Sequence, residues 1–508
     1  MSSSQDLLSR TADFMSARAI TAYVVGGAVR DRLLSRRERP GAGPGDIDLL
    51  LISPVVDLVD ELAEETDASA VVIDEERGFV RLIDHSEERK WLDLAVFDGD
   101  LESDLARRDF SINSMAVPLD EWLERDPDAN IEDAVIDPHG GMVDLHQRVV
   151  RETSPGNLLD DPVRIFRAIR FATQLEFEIE ADTAVIIRDN GDLLGDASPE
   201  RVMDEFFAIM ASHRAEYGIR ELDRLGLLDM LIPELTLGRD VEQPREHYYS
   251  VMEHQLHALG FATRLVDPEI RSSDPLLKDL PWGPQFDDYL LGIVGNGQTR
   301  GTLLKIVAML HDIGKPYTQS VDPPTSEHPN GRIRFLTHDE RGSRMVSDLL
   351  MRFCCSKHTI DHASLMIEKH MRPGQMSAKH VPPSDRAIFR FFRDLSPVAV
   401  DIILLNLCDY LAARGPRLND SEFQRFLGLL SDILSRGLKP EPERYTKDLL
   451  VGGHQVQERY GLQPGPEIGR LLGALRDAES SGVVQTKAEA YELLARLLGR
   501  AASRRGRP

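Results

Sequence analysis

The chain has 508 residues, of which 42% are hydrophobic and 6% aromatic, enough material for three or four domains with buried cores. Its formal net charge of −25 argues against simple nucleic-acid binding, which leaves a basic footprint, unless the positive charge is gathered in one groove. No apolar run approaches the ~20 residues that span a bilayer, no signal peptide is recognisable, and three cysteines lack metal spacing, so we expect a reducing cytoplasm and no membrane.

The first informative stretch is a strand, a glycine turn and a helix. Residues 23–25 predict a buried strand that breaks at Gly26-Gly27 and opens a helix carrying Arg30 and Asp31. Two glycines at such a turn let backbone N–H groups approach an anion closely, and the helix N-terminus adds a partial positive charge. A phosphate cradle and a plain tight turn are both compatible with this pattern.

A pair of aspartates follows a Gly/Pro-rich loop. Asp46 and Asp48 stand two apart on the next predicted strand, so both carboxylates project from one face and can hold Mg²⁺ together with substrate phosphates. This is what nucleotidyl transfer requires, and a solvated strand end is the alternative. Asp93 is either a third carboxylate beside them or a satisfied polar residue on a half-exposed strand. Further strands are predicted at 70–73, 80–83 and 91–97.

The string GGAVRD followed by DID resembles the signature of the class II tRNA nucleotidyltransferases and bacterial poly(A) polymerases. The resemblance implies nucleotide-binding roles for Gly26, Gly27, Arg30 and Asp31. RRDFSIN resembles the second motif of that family and implies that the nucleotide is faced by Arg107, Arg108, Asp109 and Asn113. Two guanidiniums can neutralise a triphosphate, although without the resemblance this string would be a helix start with ordinary ion pairs. IDPHGG, at 136–141, resembles the third motif and predicts either a hinge or a static turn.

The segment DDPVRIFRAIRFA resembles the fourth motif. Arg164, Arg167 and Arg170 recur every third residue, which places them along one side of a helix. We predict that Asp161 and Arg164 lie on the same helix. The family resemblance implies that this pair reads the Watson–Crick edge of the incoming base and that Arg167 binds the nucleotide. Arg offers only donors and Asp only acceptors, which together match C or A. A helix salt bridge and a solvated charged face are the alternatives.

SPERVMDEF resembles the fifth motif. Its pattern predicts Ser198 as the N-cap of a helix with Glu200 and Arg201 in the first turn, bracing the base-reading helix. Arg170 and Arg201 are the predicted RNA contacts.

A second group of chemical residues resembles the HD phosphohydrolase superfamily through the string HDIGKP. The resemblance implies a metal site formed by His254, His311, Asp312 and Asp409. His338 and His370 lie in the same region, but the minimal HD site does not need both. Imidazole and carboxylate ligands suit Mn²⁺, Fe, Ni²⁺ or Mg²⁺, which would activate a water against a phosphate ester. Satisfied core histidines are the alternative.

The segment between Phe97 and the second motif is short, only DGDLESDLA. Family members that build the whole CCA end usually carry a longer flexible segment there, so this chain is predicted to add only C or only A. Asp161 and Arg164 match the pattern for accepting both bases, which favours full CCA addition.

These observations predict an α/β nucleotidyltransferase (polymerase-beta-like) head followed by an all-α neck, an HD helical domain and a helical tail. The predicted bounds are 1–150, 151–243, 244–415 and 416–508, with an irregular insertion at 266–301. The resemblance implies an enzyme that adds CMP or AMP from CTP or ATP to the 3′ end of tRNA, with Mg²⁺ at the head. The alternatives are a poly(A) polymerase, an HD phosphohydrolase with a regulatory head, and a catalytically silent RNA-binding protein.

Overall fold

A computed structural model describes residues 3–38, 47–76, 78–85, 91–97, 99–126, 129–278, 280, 284–326, 329, 331–376, 382–437, 449–463, 465–480 and 483–505. The chain divides into two compact units, Met1–Leu231 and Ile232–Pro508. The predicted Asp46 lies outside the described residues.

The first unit is built on a mixed six-stranded sheet with the order β3-β4-β5-β2-β1-β6. Its strands are β1 Ala22–Val25, β2 Ile47–Leu51, β3 Ala68–Asp74, β4 Phe79–Asp84, β5 Trp91–Val96 and β6 Ala116–Pro118. Only the β2–β5 pair is parallel, and the other four pairs are antiparallel. The strands predicted after the aspartate pair are therefore confirmed.

Helices and one small strand pair complete the first unit. The helices are α1 Ser3–Ala17, α2 Gly27–Glu38, α3 Val59–Thr66, α4 Leu101–Ala106, α5 Leu119–Glu124, α6 Gly141–Gln147, α7 Asn157–Asp160, α8 Val163–Leu175, α9 Ala181–Asp189, α10 Pro199–Ala211, α11 Ala215–Arg224 and α12 Leu228–Leu231. The strands β7 Val149–Val150 and β8 Glu178–Ile179 pair in parallel. Helix α8 packs against α10 and α11, and this helical part follows the sheet as predicted.

The second unit is mainly helical. Its helices are α13 Pro233–Thr236, α14 Val251–Val266, α15 Pro268–Ser273, α16 Pro284–Leu291, α17 Arg300–Leu310, α18 His338–Arg352, α19 Lys357–Lys369, α20 Arg372–Met376, α21 Asp385–Leu395, α22 Ala399–Arg414, α23 Asp420–Gly437, Gly453–Tyr460, Pro466–Ser480 and Lys487–Arg505. Helices α14, α17 and α22 pack on one another. Almost every residue of α17 is buried, including Thr302 and Lys305.

Two hairpins interrupt the helices of the second unit. They are formed by β9 Ile293–Gly295 with β10 Gln298–Thr299, and by β11 Gln319–Asp322 with β12 Arg332–Phe335. The prediction of an irregular insertion at 266–301 is wrong for most of that stretch, because α15, α16 and a hairpin fill it. Its many Pro and Gly residues mark element ends, since Pro268 and Pro284 begin the two helices.

Within the described part of the chain, no single helix has both the length and the apolar composition needed to cross a membrane. One bent pair, Ala387–Leu395 with Ala399–Arg417, meets that test jointly, with 106° between its members.

Candidate functional site

The glycine turn after β1 has the geometry of a close-approach site. Gly26 adopts φ +72°, and a Cβ at this position would lie 2.9 Å from Nη1 of Arg108 and 3.9 Å from Oδ2 of Asp48. Helix α2 begins at the next residue, Gly27. Positive φ strains any residue with a side chain, and here the side chain would also displace a guanidinium. The turn therefore brings the N-terminus of a twelve-residue helix to Arg108 and Asp48.

Asp48 lies on β2 directly beside β1, where its Cα partner is Val25. It is the exposed residue of an otherwise buried strand. On the other side it is in parallel register with Asp93 on β5. Asp93 accepts two hydrogen bonds from Arg81, at 2.7 and 2.8 Å. Asp93 is thus a satisfied polar residue held in an ion pair, which agrees with the second of the two interpretations offered by the sequence.

The second motif forms a buried polar link between the first and fourth motifs. Asp109 accepts from Nε of Arg167 at 2.7 Å, from Nδ2 of Asn113 at 3.0 Å and from the Phe110 N–H at 2.8 Å. Asn113 in turn accepts from Nη1 of Arg30 at 2.7 Å. Burial would raise the pKa of Asp109, but the charge of Arg167 and these hydrogen bonds outweigh it and lower the pKa. Asp109 therefore remains an anion that holds Arg167 directly and Arg30 through Asn113.

The third motif is a capped turn. Asp137 accepts from the N–H groups of Gly141 at 2.7 Å and Met142 at 2.9 Å, where α6 begins, and Gly140 adopts φ +76°. Of the two alternatives for this motif, the contacts favour the static turn.

The fourth motif departs from the prediction at one point. Asp161 and Arg164 do not lie on one helix, because Asp161 follows α7 in an extended conformation and only Arg164 lies in α8. Pro162 separates them, and the residue before a proline is driven out of the helical region. Arg164 donates from Nη1 to the carbonyl of Asn157 at 2.9 Å.

Asp161 is held by the fifth motif instead. Arg201 donates to both carboxylate oxygens of Asp161, at 3.1 and 2.6 Å. Burial opposes the shift, but this ion pair lowers the pKa of Asp161. Ser198 is the N-cap of α10 and accepts from the Arg201 N–H, so the predicted cap is confirmed.

These groups line one cavity of about 450 Å³ in the first unit. Its lining residues are Gly26, Gly27, Arg30, Asp48, Arg108, Asp109, Asn113, Asp161, Arg164, Arg167, Arg170, Phe171 and Arg201. Among the described residues, two of the predicted nucleotide contacts lie outside this lining: Asp31, which accepts from Nε of Arg30 at 2.7 Å, and Arg107, whose Nη2 lies 3.4 Å from Oδ1 of Asp104. The two predicted RNA contacts, Arg170 and Arg201, line the same cavity as the predicted nucleotide contacts.

Three contributors escaped the sequence analysis. Phe171 lines the cavity, Glu205 pairs with Arg170, and Asn157 donates to the carbonyls of Ala106 at 2.6 Å and Arg108 at 2.9 Å. In the sequence, the only signal for Phe171 was its position next to Arg170 in the arginine run RAIRF. Glu205 lies within the SPERVMDEF string, but its pairing with Arg170 depends on a contact between distant residues, and nothing in the sequence marks Asn157.

The second unit gathers the predicted HD residues into a buried cluster. His254 lies in α14, His311 and Asp312 follow α17, and Asp409 lies in α22. His254 Nε2 lies 3.2 Å from Asp312 Oδ2, 3.2 Å from Asp409 Oδ1 and 3.1 Å from His311 Nε2. His311 Nε2 lies 3.2 Å from the same Asp312 oxygen. The four residues thus direct their ligand atoms to one point.

The other oxygen of Asp312 faces His338 and His370. Asp312 Oδ1 lies 3.3 Å from Nε2 of His338 and 3.9 Å from Nε2 of His370. His338 begins α18 and His370 follows α19, and both are buried. Both belong to the cluster.

Backbone contacts orient the rings of this cluster. The Nδ1 atoms of His311, His338 and His370 lie 2.8, 2.7 and 2.6 Å from the carbonyls of Ala308, Phe335 and Ile367, respectively. When Nδ1–H donates to a carbonyl, the lone pair on Nε2 is directed into the cluster, the arrangement found in metal-ligating histidines. Ligand atoms from His311, Asp312 and His370, and from His254, His311 and Asp409, lie within 4.8 Å of one another in each group. The donor set therefore fits a divalent metal.

Two further residues of the cluster were not predicted. His247 joins His254 and Asp312 in a third possible ligand group, with its ring centroid 5.1 Å from that of His254. Lys315 donates to Asp312 Oδ2 at 2.5 Å and to Gln243 at 2.6 Å. Burial and the charge of Lys315 lower the pKa of His247 to about 3. His247 precedes the helical pattern and sits in no motif, whereas Lys315 belongs to the HDIGKP string.

The family comparisons agree with this architecture. Residues 22–151 match the family described as "Poly A polymerase head domain", and residues 287–414 match the HD domain family. Residues 176–237 match "Probable RNA and SrmB- binding site of polymerase A". The first unit therefore has a polymerase-beta-like head, and the predicted fold class is confirmed. His254 lies outside the HD match but inside the HD cluster.

Full-length relatives define the family. The chain is 32% identical to the A-adding tRNA nucleotidyltransferase of Deinococcus radiodurans over 482 residues, which cover 94% of this chain and 95% of that protein. It is 30% identical to the CC-adding tRNA nucleotidyltransferase of Thermus thermophilus, with 93% of each chain covered. Among solved structures, a CCA-adding enzyme in complex with ATP aligns with a TM-score of 0.59 at 20% identity, covering 96% of this chain and 92% of that one. The chain belongs to the tRNA nucleotidyltransferase family and is an enzyme of that class.

Proposed function

We propose that this chain transfers CMP or AMP from CTP or ATP to the 3′ end of tRNA, and that it adds only C or only A. The observation that carries the proposal is the single cavity in which residues of four of the five motifs meet. Relatives that cover more than nine-tenths of this chain are named as A-adding and CC-adding tRNA nucleotidyltransferases. The reducing cytoplasm, where unpaired cysteines persist, is the proposed location.

The triphosphate is neutralised by the arginines of the cavity. Phosphoryl transfer needs positioning and charge neutralisation more than covalent chemistry. Arg30 and Arg167 are held by Asn113 and Asp109, so their guanidiniums are fixed before the nucleotide arrives. Arg108 stands beside the glycine turn, where the N-terminus of α2 adds its partial positive charge.

The base is read by Asp161 and Arg164. Arg201 and the Val163 N–H occupy three acceptor positions of the Asp161 carboxylate, which leaves one of its about four lone-pair sites for an exocyclic amine. Arg164 uses one of its five N–H donors on Asn157 and keeps the others for a ring nitrogen. C and A both present an amine beside a ring acceptor, whereas U and G present the reverse pattern. The pair therefore discriminates against U and G but does not by itself distinguish C from A.

A divalent ion at the head would be held by Asp48, with Asp46 as the proposed second ligand. Asp48 fits because it is exposed on the cavity wall, where its carboxylate lies beside the glycine turn. When bound, Mg²⁺ lowers the pKa of the 3′ hydroxyl and neutralises the phosphates. The protein supplies the carboxylates, the arginine cage and the base-reading pair.

The proposed split activity, that is, addition of only C or only A, is supported by the segment before the second motif. Between the end of β5 and Arg107 the chain forms α4, which Asp100 caps by accepting from the Ser103 N–H at 2.7 Å. Leu101 and Leu105 of α4 pack on the sheet in a hydrophobic cluster with Val25 and Leu50. A short helix anchored in this way occupies the place of a long flexible loop.

We propose the cluster in the second unit as an accessory phosphohydrolase centre. His254, His311, Asp312 and Asp409 would hold a divalent ion, with Mn²⁺, Ni²⁺, Fe or Mg²⁺ as candidates. The observation favouring it is the buried convergence of their ligand atoms with backbone-oriented rings. A metal held there would activate a water against a phosphate ester such as a 2′,3′-cyclic phosphate.

The test is incorporation of labelled CTP and ATP, separately and together, onto tRNA transcripts that lack CCA, end in C, end in CC or are complete. Asp48→Asn keeps the size of the side chain and should abolish incorporation, while His311→Ala in the other unit should leave it intact. Addition of C alone or A alone supports the proposal. Complete CCA addition would contradict the proposal that the chain adds only C or only A, and long A tails would favour a poly(A) polymerase.

The same two variants distinguish the activities of the two centres. Hydrolysis of 2′,3′-cyclic AMP with Mn²⁺ or Ni²⁺ should survive Asp48→Asn and disappear in His311→Ala. No incorporation on any RNA, with hydrolysis retained, would overturn the transferase proposal and leave the HD centre as the main enzyme.

A further inference from the structure

Phe171 is the aromatic residue of a cavity whose other described lining residues are charged, amide or glycine. It is 5% exposed and lies in α8 directly after Arg170. Three guanidiniums surround its ring: the Cζ atoms of Arg170, Arg30 and Arg167 lie 4.1, 5.1 and 5.4 Å from the ring centroid. All three distances are within the ~6 Å range of cation–π attraction.

The ring also connects three motifs that are distant in sequence. Arg30 belongs to α2 after the glycine turn, Arg167 and Arg170 belong to α8, and Phe110 of the second motif contacts Phe171 edge-on at 5.7 Å and 80°. Phe171 thus sits where the helix behind the glycine turn meets the arginine face of α8.

The three arginines need such support because their charges repel one another. Arg170 is paired with Glu205 and Arg167 with Asp109, while Arg30 is paired with Asp31. Burial, reinforced by the charges of Arg167 and Arg30, lowers the pKa of Arg170 although Glu205 opposes the shift. The negative face of an aromatic ring is a neutral way to attract several cations without supplying a charge that would repel phosphates.

We propose that Phe171 is a positioning residue for the triphosphate, because its ring holds Arg30, Arg167 and Arg170 at fixed spacing on one side of the cavity. The inference rests on the proposed function of this cavity as a nucleotide site. An aliphatic side chain of similar size would fill the same space but would not attract the guanidiniums. A tyrosine would keep the aromatic face.

The experiment measures two inhibition constants against incorporation of labelled nucleotide, one for inorganic tripolyphosphate and one for CMP or AMP. The variants are Phe171→Leu, Phe171→Tyr and the matched control Phe110→Leu, which removes a buried neighbouring ring that has no guanidinium in the described contacts. Phe171→Met carries the same test if the Leu variant does not fold. Thermal melts monitor folding throughout.

Phe171→Leu should raise the tripolyphosphate constant about tenfold, which corresponds to about 1.4 kcal/mol. The inhibition constant of the nucleoside monophosphate should change less than twofold. Phe171→Tyr should keep the wild-type ratio of the tripolyphosphate constant to the monophosphate constant. Phe110→Leu should lower the melting temperature without changing that ratio. An unchanged ratio in Phe171→Leu, or an equal change in Phe110→Leu, would overturn the positioning role. Absence of any inhibition or incorporation in the wild type would overturn the proposed function itself.

Discussion

Gly26 offers the sharpest test of the phosphate cradle, because one added methyl group has two separable effects. Gly26→Ala forces an L side chain into φ +72°, which costs about 1–2 kcal/mol of folding free energy. It also places the Cβ 2.9 Å from Nη1 of Arg108. That atom is the far end of a flexible side chain, so the guanidinium moves aside instead of the backbone. We expect the affinity for CTP or ATP to fall roughly 10- to 100-fold, the value of one charge-assisted hydrogen bond of ~1.5–3 kcal/mol.

Gly226→Ala is the matched control for this variant. Gly226 adopts φ +77° in the same unit, and a Cβ there would meet nothing within 4 Å. Urea unfolding should show a similar loss of stability for both variants, while nucleotide binding measured by calorimetry should weaken only in Gly26→Ala. If both variants bind the nucleotide as well as the wild type does, displacing the Arg108 guanidinium does not affect nucleotide binding. If both weaken equally, backbone strain alone accounts for the loss.

Three further perturbations test the metal cluster of the second unit, the buried Asp401 of α22, and the ion pair between Asp161 and Arg201. Mn²⁺ at 100 times its Kd should stabilise the wild type by about 2.7 kcal/mol, and His311→Ala should lose that shift in a thermal melt; an equal shift in both would place the ion elsewhere. Burial, against the opposing charge of Arg300, raises the pKa of Asp401 to about 6, above its unfolded value of ~3.9. The folded state therefore binds this proton more tightly, so the free energy of unfolding should fall as pH rises from about 4 to about 6, and Asp401→Asn should flatten that part of the profile; an unchanged profile would contradict the assignment. Arg201→Ala should reduce kcat/KM for the nucleotide that the wild type adds, CTP or ATP, about tenfold and increase misincorporation of UTP, because Asp161 loses its bidentate partner. The melting temperature should change little, and unaltered discrimination would refute this role.

The sequence predicted what depends on local pattern. The strand, the glycine turn and the helix from Gly27 follow from a short apolar run and turn residues, and the arginine face of α8 follows from a three-residue spacing. The sequence did not predict which carboxylate holds which arginine. Asp161 pairs with Arg201, forty residues away, and not with Arg164, because Pro162 ends the helical register between them.

Partners that come from distant parts of the chain explain the other omissions. Phe171 has the pattern of an ordinary core residue, and its role arises only when α2 brings Arg30 to its ring. His247 lies in no periodic segment, yet the fold places it against His254. In both cases the residue type is common and the neighbouring groups decide its chemistry.

The distribution of charge explains how so acidic a chain can carry a site for a polyanion. The net charge is −25, yet the cavity is lined by six arginines against three aspartates. Charges on solvent-exposed surfaces are screened over about 8–10 Å at physiological ionic strength, whereas groups enclosed in a cavity interact through a medium of lower dielectric constant. The field at a bound triphosphate is therefore set by the arginines around it. Two of the three aspartates, Asp109 and Asp161, are paired with guanidiniums and serve to orient positive charge, so the local site remains cationic inside an anionic protein.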